Sequence, residues 1–303
     1  MSPDDHPTSP RLTKLLQDLE KGDLGVLETF WQEVQTNTSP LIEPIEGDDH
    51  SLVTFLWRAE EELNGVSVIS LITGLEDNKM TQMLETDLWY TTRRVKNDLR
   101  ATYQLEPHRV DDRLAEGDDY EARIARFSRL KPDPFNPHTF VFEKDPEDPE
   151  GFELVRSVLE MPEAPAQLWI EEHEDVPKGK VELHRFRSDI LDNERRVWVY
   201  APPGYSPDDG REYGLIVLFD GKSYVDMVPT PTILDNLTAA ERIKPMVAVI
   251  PDSLGMMTRI RELILNEDFN RFLVEELVPW VRENWSVTRD PSRVVVGGVS
   301  AGG

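Results

Sequence analysis

The spacing of hydrophobic residues separates a short helical lead from a long strand-rich region. Between Arg11 and Trp31 apolar residues recur at helical intervals that Gly22 interrupts, which predicts two short helices after a disordered start over residues 1–10. Asn64-Gly65 predicts the turn of a β-hairpin. We expect residues 1–44 to be a helical or disordered lead and residues 45–175 to form a β-sandwich domain. The strand-like segments of that domain are 52–57, 66–71, 88–92, 100–105 and 139–142.

A proline-rich acidic stretch follows this region. Residues 145–180 contain repeated prolines and a charged run from Glu171 to Asp175, which indicates a linker with a domain boundary near residue 175. The charged run holds one histidine, His173. We interpret the run as a solvated loop because the carboxylate spacing does not fit a calcium-binding loop, and we predict no metal site.

Residues 176–303 alternate between apolar strands and amphipathic helices. Segments 180–187 and 195–200 predict an antiparallel strand pair. Apolar runs at 213–219, 246–250 and 293–297 predict fully buried strands, and helical spacing predicts helices over 232–242 and 266–284. This order predicts the first half of an α/β-hydrolase domain. The expected fold class is therefore α/β together with all-β, with the β-sandwich domain first and the partial hydrolase domain second.

The last predicted strand leads directly into a G-x-S-x-G motif, Gly298-Val299-Ser300-Ala301-Gly302. Such a motif holds a serine in a strained turn between a strand and a helix, and the glycines leave the room that the turn needs. The turn exposes the serine above the sheet, with the following amide directed to where an oxyanion forms. A glycine-rich turn with an uninvolved serine is the alternative. We interpret the motif as a nucleophile elbow because a strand pattern precedes it.

Composition narrows the classes of partner. The chain has 58 acidic and 33 basic residues and a net charge of −25, which argues against nucleic acid or an anionic membrane as the main partner. It contains no cysteine, which excludes disulfides, thiolate metal sites and a cysteine nucleophile. The first residues lack the pattern of a secretory signal, and no apolar run has the length of a membrane span. We therefore expect a cytoplasmic protein that needs no cofactor.

Several motifs of the chain occur together in one known family. In the C-terminal half they are Phe219-Asp220-Gly221, Arg259-Ile260-Arg261-Glu262-Leu263, Glu276-Leu277-Val278-Pro279 and the elbow. In the N-terminal half they include Thr86-Asp87-Leu88-Trp89-Tyr90, Asp98-Leu99-Arg100 and Asp133-Pro134-Phe135-Asn136-Pro137. From about residue 45 onward the chain resembles the enterochelin esterase family. The resemblance implies hydrolysis of the ester bonds of ferric catecholate siderophores in the cytoplasm, with the ferric siderophore as a small-molecule substrate.

The resemblance and the chemistry of the elbow together assign roles to individual residues. Ser300 is expected to attack the ester carbonyl, and the Ala301 amide is expected to bind the oxyanion with a second amide near Gly221 and Lys222. Arg259 matches the arginine of the family's R-x-x-E-L pattern, and a cation there suits the negative charge of a ferric tris-catecholate. The alternative for Arg259 is a structural ion pair with Glu262, three residues on.

The chain departs from the family in its histidines. In this fold the acid and the histidine of the triad follow the serine in chain order, and no histidine follows Ser300 in these residues. We therefore expect an esterase fragment that ends just after the elbow and is nearly inactive as it stands. Two other functions remain open. One is a different carboxylesterase, of feruloyl or acetyl-xylan type with a carbohydrate-binding sandwich, and the other is a non-catalytic binding protein.

Overall fold

Two units share the chain, and the sequence passes between them more than once. The computed structural model describes residues 8–23, 25–37, 39–74, 78–110, 127–148 and 151–303. Unit 1 comprises Met1–Glu143 and Glu153–Ala166, and unit 2 comprises Lys144–Phe152 and Gln167–Gly303. Most of the predicted disordered start, residues 1–7, lies outside the described residues. The predicted domain limits at residues 44 and 175 stay predictions.

Unit 1 begins with two helices that pack through their apolar faces. Helix α1 (Pro10–Glu20) starts after Ser9, whose hydroxyl accepts a hydrogen bond from the Leu12 amide at 3.1 Å. Helix α2 (Gly25–Asn37) follows Gly22, which has a φ of 88° that favours glycine. The two predicted helices are confirmed. Their buried side chains share one cluster that includes Leu12, Leu15, Leu19, Phe30, Trp31 and Val34.

The described strands of unit 1 form two antiparallel four-stranded sheets. The first sheet has the order β1-β2-β5-β4, and the second has the order β3-β6-β8-β7. Both sheets contribute to one buried cluster, in which the rings of Phe55 and Tyr103 meet edge to face at 4.9 Å between centroids. The strands are β1 Leu41–Pro44, β2 His50–Arg58, β3 Leu63–Ile69, β4 Thr81–Gln82, β5 Leu88–Lys96, β6 Arg100–Arg109, β7 Thr139–Phe142 and β8 Leu154–Glu160.

The predicted hairpin at Asn64-Gly65 is wrong. Strand β2 pairs with β1 and β5, whereas β3 pairs with β6, so the two strands belong to different sheets. Asn64 and Gly65 lie inside β3, where the register against β6 shifts, and glycine permits such a bulge. Burial of Val66 and Val68 in the shared cluster outweighs the turn preference of Asn-Gly. Strand β8 was not predicted either, because it lies within the stretch that we interpreted as a linker.

A five-stranded mixed sheet forms the centre of unit 2. Its order is β13-β11-β12-β10-β9. Strand β10 pairs antiparallel with β9 and β12, and β11 pairs parallel with β12 and β13. The predicted antiparallel pair and the three further strands are confirmed, and β13 and β9 form opposite edges. The strands are β9 Lys180–Ser188, β10 Asn193–Ala201, β11 Gly214–Leu218, β12 Met246–Pro251 and β13 Val294–Gly297.

Strand β13 is much less buried than the parallel strands in the middle of the sheet. Val247 and Val249 of β12 are 0% exposed, whereas Val295 and Val296 of β13 are 51% and 59% exposed. Within the described chain β13 has one neighbouring strand, β11. The predicted full burial of this valine run is therefore wrong, because the run lies at a sheet edge.

The helices of unit 2 pack on both faces of this sheet. Helix α5 (Glu267–Arg271) continues through a wider π turn, Phe272–Leu277, into helix α6 (Val278–Asn284). The wide turn is explained by Pro279, which has no amide hydrogen and whose ring conflicts with the carbonyl one turn earlier. The helix predicted over 266–284 is confirmed with this interruption. Helix α3 (Thr230–Ala239) matches the helix predicted over 232–242, and helix α4 (Met256–Leu263) was not predicted.

Alternating side chains along β10 fill two separate clusters. Val197 and Val199 pack with Phe269, Phe272 and other side chains of the α5–α6 segment. Tyr200 packs on the opposite face with Leu234 of α3. Each large apolar side chain buried in this way contributes about 1.5–3 kcal/mol. None of the described helices combines the length and the apolar character that crossing a membrane requires.

Candidate active site

Ser300 lies in a strained turn after β13, where it begins a short 3₁₀ helix, Ser300–Gly302. Its φ is 58°, in the left-handed region that a residue with a side chain occupies only where the surroundings hold it. A Cβ added to Gly298 would lie 2.4 Å from the carbonyl oxygen of Gly302, so only glycine fits there. The serine is exposed. This backbone is the one that a nucleophile elbow requires, while the catalytic role of Ser300 stays a prediction.

The loop after β11 lies beside this turn. Strands β11 and β13 are parallel neighbours, and the Phe219 amide donates to the Gly297 carbonyl at 3.1 Å. A Cβ added to Gly221 would lie 2.5 Å from the Trp198 ring, so this loop packs tightly against β10. The amides of Gly221 and Lys222 therefore lie at the carboxyl ends of the parallel strands, where Ser300 and Ala301 also lie. Their roles as oxyanion donors stay predictions.

Both cations beside these loops are paired with carboxylates. Arg259 donates from Nε to Asp220 Oδ1 at 2.6 Å and from Nη2 to Asp220 Oδ2 at 2.8 Å. Lys222 Nζ lies 2.5 Å from Asp226 Oδ2. Hydrogen bonding to these carboxylates raises the pKa of Arg259 and the pKa of Lys222. The site therefore carries less net positive charge than its two cations would give alone.

Arg259 also contacts the turn that holds Ser300. Its Nη2 donates to the Val299 carbonyl oxygen at 2.9 Å. Asp220 Oδ1, which binds Arg259, also accepts a hydrogen bond from Ser253 Oγ at 2.7 Å. One guanidinium thus joins the loop after β11 to the residue that precedes Ser300. The expected contact of Arg259 with substrate stays a prediction.

The alternative pairing of Arg259 with Glu262 is wrong. Glu262 Oε1 accepts hydrogen bonds from Arg195 Nη2 at 2.9 Å and from Asn193 Nδ2 at 3.1 Å. The Arg195 side chain is 0% exposed, and its guanidinium lies 4.9 Å from the centre of the Phe272 ring. Glu262 is buried with β10 and the α5–α6 segment, whereas Arg259 reaches the loops at the carboxyl ends of β11 and β13. Two charges three residues apart on α4 therefore pair with different parts of unit 2.

Comparison with known proteins gives this arrangement a family. Residues 52–170 match the family model described as "Enterochelin esterase, N-terminal", and residues 188–303 match the one described as "Putative esterase". The iron(III) enterobactin esterase of Yersinia enterocolitica is 30% identical, over 98% of this chain and 86% of that protein. The chain belongs to the enterochelin esterase family. Its class is accordingly that of the carboxylic ester hydrolases.

Solved structures extend the likeness of this esterase to its fold. The ferric enterobactin esterase from Salmonella typhimurium superposes with a TM-score of 0.68 at 26% identity, covering 91% of this chain and 71% of that chain. The enterobactin esterase from Shigella flexneri, solved in the presence of enterobactin, gives a TM-score of 0.64 at 27% identity, covering 91% and 70%. The mixed α/β fold with several sheets is therefore shared with these enzymes.

The histidine of the esterase that lies in the sheet of unit 2 cannot reach Ser300. His184 lies on β9, at the opposite edge of the sheet from β13. Four strand spacings of about 4.8 Å separate the two edges, a distance of about 19 Å. The imidazole packs between the rings of Trp280 and Trp285, each 5.3 Å away between centroids. His184 therefore serves packing and not proton transfer from Ser300.

A cavity of about 160 Å³ lies beside α3 and does not include the predicted site residues. Asp235 lines it and accepts hydrogen bonds from the Tyr200 hydroxyl at 2.6 Å and the Gly179 amide at 2.9 Å. Burial raises the pKa of Asp235, and burial together with the nearby carboxylate raises the pKa of Tyr200. The carboxylate thus holds the start of β9 and the end of β10 next to α3.

Three potential metal ligands meet at the start of β2, a feature that the sequence analysis missed. The donor atoms of Asp48, Asp49 and His50 lie within 4.8 Å of one another. Arg94 donates to both oxygens of Asp48 at 2.9 and 2.6 Å, and this hydrogen bonding lowers the pKa of Asp48 to about 2. The guanidinium occupies the carboxylate that an ion would need. These residues do not fit a metal, and the predicted lack of a metal site stays a prediction.

Two polar contacts at the end of β12 were also missed. Ser253 supports Asp220 as described above, and Asp252 accepts a hydrogen bond from Arg196 Nε at 2.8 Å. Burial raises the pKa of Asp252 in spite of that arginine. Their position gives a signal that the sequence contains, because both residues directly follow a parallel strand. Parallel strands have their carboxyl ends on the same side of the sheet, and ligands bind outside those ends in this class of fold.

Proposed function

We propose that this esterase hydrolyses the ester bonds of ferric catecholate siderophores in the cytoplasm, with Ser300 as the nucleophile. The observation that carries the proposal is the φ of 58° at Ser300, at the end of a parallel strand in a chain of the enterochelin esterase family. Relatives named for iron(III) enterobactin and ferric enterobactin supply the substrate class. The iron enters the reaction as part of the substrate.

The finer architecture belongs to the same proposal. Two antiparallel sheets that share one apolar cluster support a β-sandwich domain within residues 45–175. The parallel neighbours β12, β11 and β13, with the elbow directly after β13, support the first half of an α/β-hydrolase domain in residues 176–303. The sandwich would then precede the catalytic half in the chain.

The proposed chemistry proceeds through an acyl-enzyme. Ser300 Oγ attacks the carbonyl carbon of a siderophore ester while its proton passes to a general base. The carbonyl oxygen becomes an oxyanion that accepts hydrogen bonds from the Ala301 amide and from an amide of Gly221 or Lys222. The bond to the alkoxy oxygen then breaks, and the leaving alcohol takes the proton from the base. Water attacks the acyl-serine by the same steps, which releases the acid and restores Ser300.

The base in this mechanism is a histidine that follows the serine in chain order. Residues 301–303 contain no histidine, and His184 lies at the far edge of the sheet. We expect residues 1–303 expressed alone to hydrolyse esters about 10⁶-fold more slowly than a form that carries such a histidine, because a triad works as a unit. The activity measurements proposed below use a form of the enzyme that carries such a histidine.

The test of the nucleophile follows the release of linear product from ferric enterobactin by chromatography. Ser300→Ala is expected to lower the turnover by about 10⁴ to 10⁶-fold, because no other group forms the acyl-enzyme. Ser292→Ala is the matched control, since Ser292 is exposed and, within the described part of the chain, its hydroxyl donates only to Asp290. Turnover that survives Ser300→Ala would contradict the assignment.

The substrate class is tested with the same samples. Methyl ferulate and acetylated xylan are offered beside free and iron-loaded enterobactin. We expect the catecholate siderophore to give the highest kcat/KM. A higher kcat/KM for ferulate or xylan esters would assign the protein to another branch of carboxylesterases, and binding without turnover of any ester would favour a non-catalytic binding protein.

A further inference from the structure

The side chain of Arg259 connects two loops that leave neighbouring parallel strands. Its Nε and Nη2 atoms donate to the two carboxylate oxygens of Asp220, in the loop after β11, at 2.6 and 2.8 Å. The same Nη2 donates to the carbonyl of Val299, in the turn after β13, at 2.9 Å. A planar guanidinium held by a bidentate carboxylate has a fixed orientation, so its third contact is also fixed.

Both loops contain a strained residue at the point where this connection is made. Asp220 has a φ of 64° and Ser300 has a φ of 58°. Each such conformation is unfavourable in a residue with a side chain and persists only where surrounding contacts impose it. Arg259 binds the first of these residues directly and the second through its neighbour Val299. The connection therefore acts where the backbone most needs to be held.

Arg259 is itself anchored from behind. Helix α4, which carries it, is fixed to β10 by the buried pair of Glu262 with Arg195. Asp220 is also held from a second direction by the Ser253 hydroxyl at 2.7 Å. The connection thus has rigid supports on both sides, as expected of contacts that set the spacing of a site.

The charge of Arg259 is already balanced where it lies. Its side chain is 17% exposed and that of Asp220 is 8% exposed, and the carboxylate accepts both hydrogen bonds at short distance. An arginine neutralised in this way adds little positive potential to a substrate pocket. Recognition of an anionic siderophore is therefore a weaker explanation of Arg259 than the geometry of the two loops.

We propose that Arg259 and Asp220 are positioning residues for ester hydrolysis. This role rests on the function proposed above. Together they hold the Ser300 turn and the Gly221 loop at the spacing that lets the Ala301 amide and the loop amide bind one oxyanion. Neither side chain contacts the reacting atoms. Their contribution is to kcat for every ester that the enzyme accepts, whatever the charge of that ester.

The experiment compares a neutral ester, p-nitrophenyl butyrate, with ferric enterobactin in the form of the enzyme that carries the histidine. Arg259→Ala and Asp220→Ala are each expected to lower kcat about 10 to 100-fold for both esters, the loss typical of a displaced catalytic group. KM for ferric enterobactin should stay within about twofold of the parent value. The double variant should be no slower than the slower single variant, because both changes break one connection. Arg261→Ala is the matched control on the same helix and should keep the parent kcat.

Chemical rescue keeps the test valid if a variant loses stability. Guanidinium chloride at millimolar concentration is expected to restore several-fold activity to Arg259→Ala and none to Asp220→Ala, within one preparation of each protein. An Arg259→Ala variant with a raised KM for ferric enterobactin and an unchanged kcat for the neutral ester would overturn the positioning role and assign Arg259 to substrate binding. The function proposed above fails separately, if Ser300→Ala remains active.

Discussion

Helix α4 is attached to the rest of unit 2 by two arginine–carboxylate pairs with different surroundings. Glu262 meets Arg195 inside the apolar cluster of the sheet, with side-chain exposures of 4% and 0%. Arg259 meets Asp220 at the carboxyl ends of the parallel strands, next to the Ser300 turn, with side-chain exposures of 17% and 8%. This second pair is the rim pair. The chemical groups are the same in both pairs. The first pair joins elements of the fold, and the second joins the two loops of the candidate site.

The difference shows that burial and neighbours, rather than the type of pair, decide what an ion pair contributes. Removal of one partner from a fully enclosed pair strongly destabilises the fold, because the other charge stays buried without a partner and without water. A pair at the rim leaves a partner that solvent can still reach. We therefore expect stability to depend most on the core pair and catalysis to depend most on the rim pair.

Removal of the core carboxylate is expected to have the largest effect on stability. Glu262→Ala leaves the guanidinium of Arg195 buried beside the Phe272 ring. The free energy of unfolding should fall by about 3–5 kcal/mol, measured by urea denaturation followed by tryptophan fluorescence. Glu275→Ala is the control, since Glu275 pairs with Arg271 at the surface with both side chains 53% exposed. That variant should change stability by less than about 1 kcal/mol.

Replacement of both core partners separates charge from packing. The double variant Arg195→Met with Glu262→Leu removes both charges and keeps apolar volume, so most of the loss in Glu262→Ala should be recovered. A double variant as unstable as Glu262→Ala would mean that the pair acts through its hydrogen bonds to Asn193 and to the Asp252 carbonyl. The comparison between the two pairs would then need another basis.

Removal of the rim arginine is expected to have a moderate effect on stability. Arg259→Ala should lower the free energy of unfolding by about 1–2 kcal/mol, because the Arg259 side chain is partly exposed and water can take its place beside Asp220. The same urea titration measures it. The ratio of kcat loss to stability loss should be larger for this variant than for Glu262→Ala. A stability loss equal to that of Glu262→Ala would remove the distinction between core and rim.

A third buried carboxylate, Asp235, sharpens the comparison because its hydrogen bonds come from neutral donors, the Tyr200 hydroxyl and the Gly179 amide. Burial raises the pKa of Asp235. A raised pKa in the folded state means that the carboxyl group favours folding most at low pH, and that this contribution is lost as pH rises through the raised value. Asp235→Asn keeps an oxygen acceptor and does not titrate.

The expected result for Asp235→Asn is a pH-dependent difference from the parent. The free energy of unfolding of the variant minus that of the parent should decrease as pH falls from about 7 to about 4. Urea titrations at several pH values measure it. A difference that increases as the pH falls would mean that the ionised carboxylate is the form favoured by folding.

The sequence predicts those elements of the fold whose side-chain pattern is local. The β9–β10 pair was predicted from alternation and the α5–α6 segment from helical spacing. Strand β8 was missed because prolines and acidic residues surround it, although Leu159 is buried in the cluster of unit 1. Helix α4 was missed because its eight residues give too short a pattern, and its place is set by contacts distant in sequence.

The candidate site was predicted in the same unequal way. The strained backbone at Ser300 follows from neighbouring glycines and a preceding strand, which are all local features. The partner of Arg259 could not be read from spacing. The sequence favours Glu262 at three residues' distance, but the sheet places Asp220, 39 residues away, against the guanidinium. Parallel strands bring loops that are distant in sequence to the same end of the sheet, so contacts between such loops can be assigned only once the fold is known.

The open edge of β13 affects how unit 2 behaves in concentrated solution. Val295 and Val296 are 51% and 59% exposed beside backbone groups with one neighbouring strand in the described chain, which is a template for a strand from another molecule. A net charge of −25 opposes such an encounter. That repulsion acts over about 8 Å at physiological ionic strength and over about 3 Å in 1 M salt. Salt would therefore promote clustering of residues 1–303, whereas it would loosen a complex held together by ion pairs.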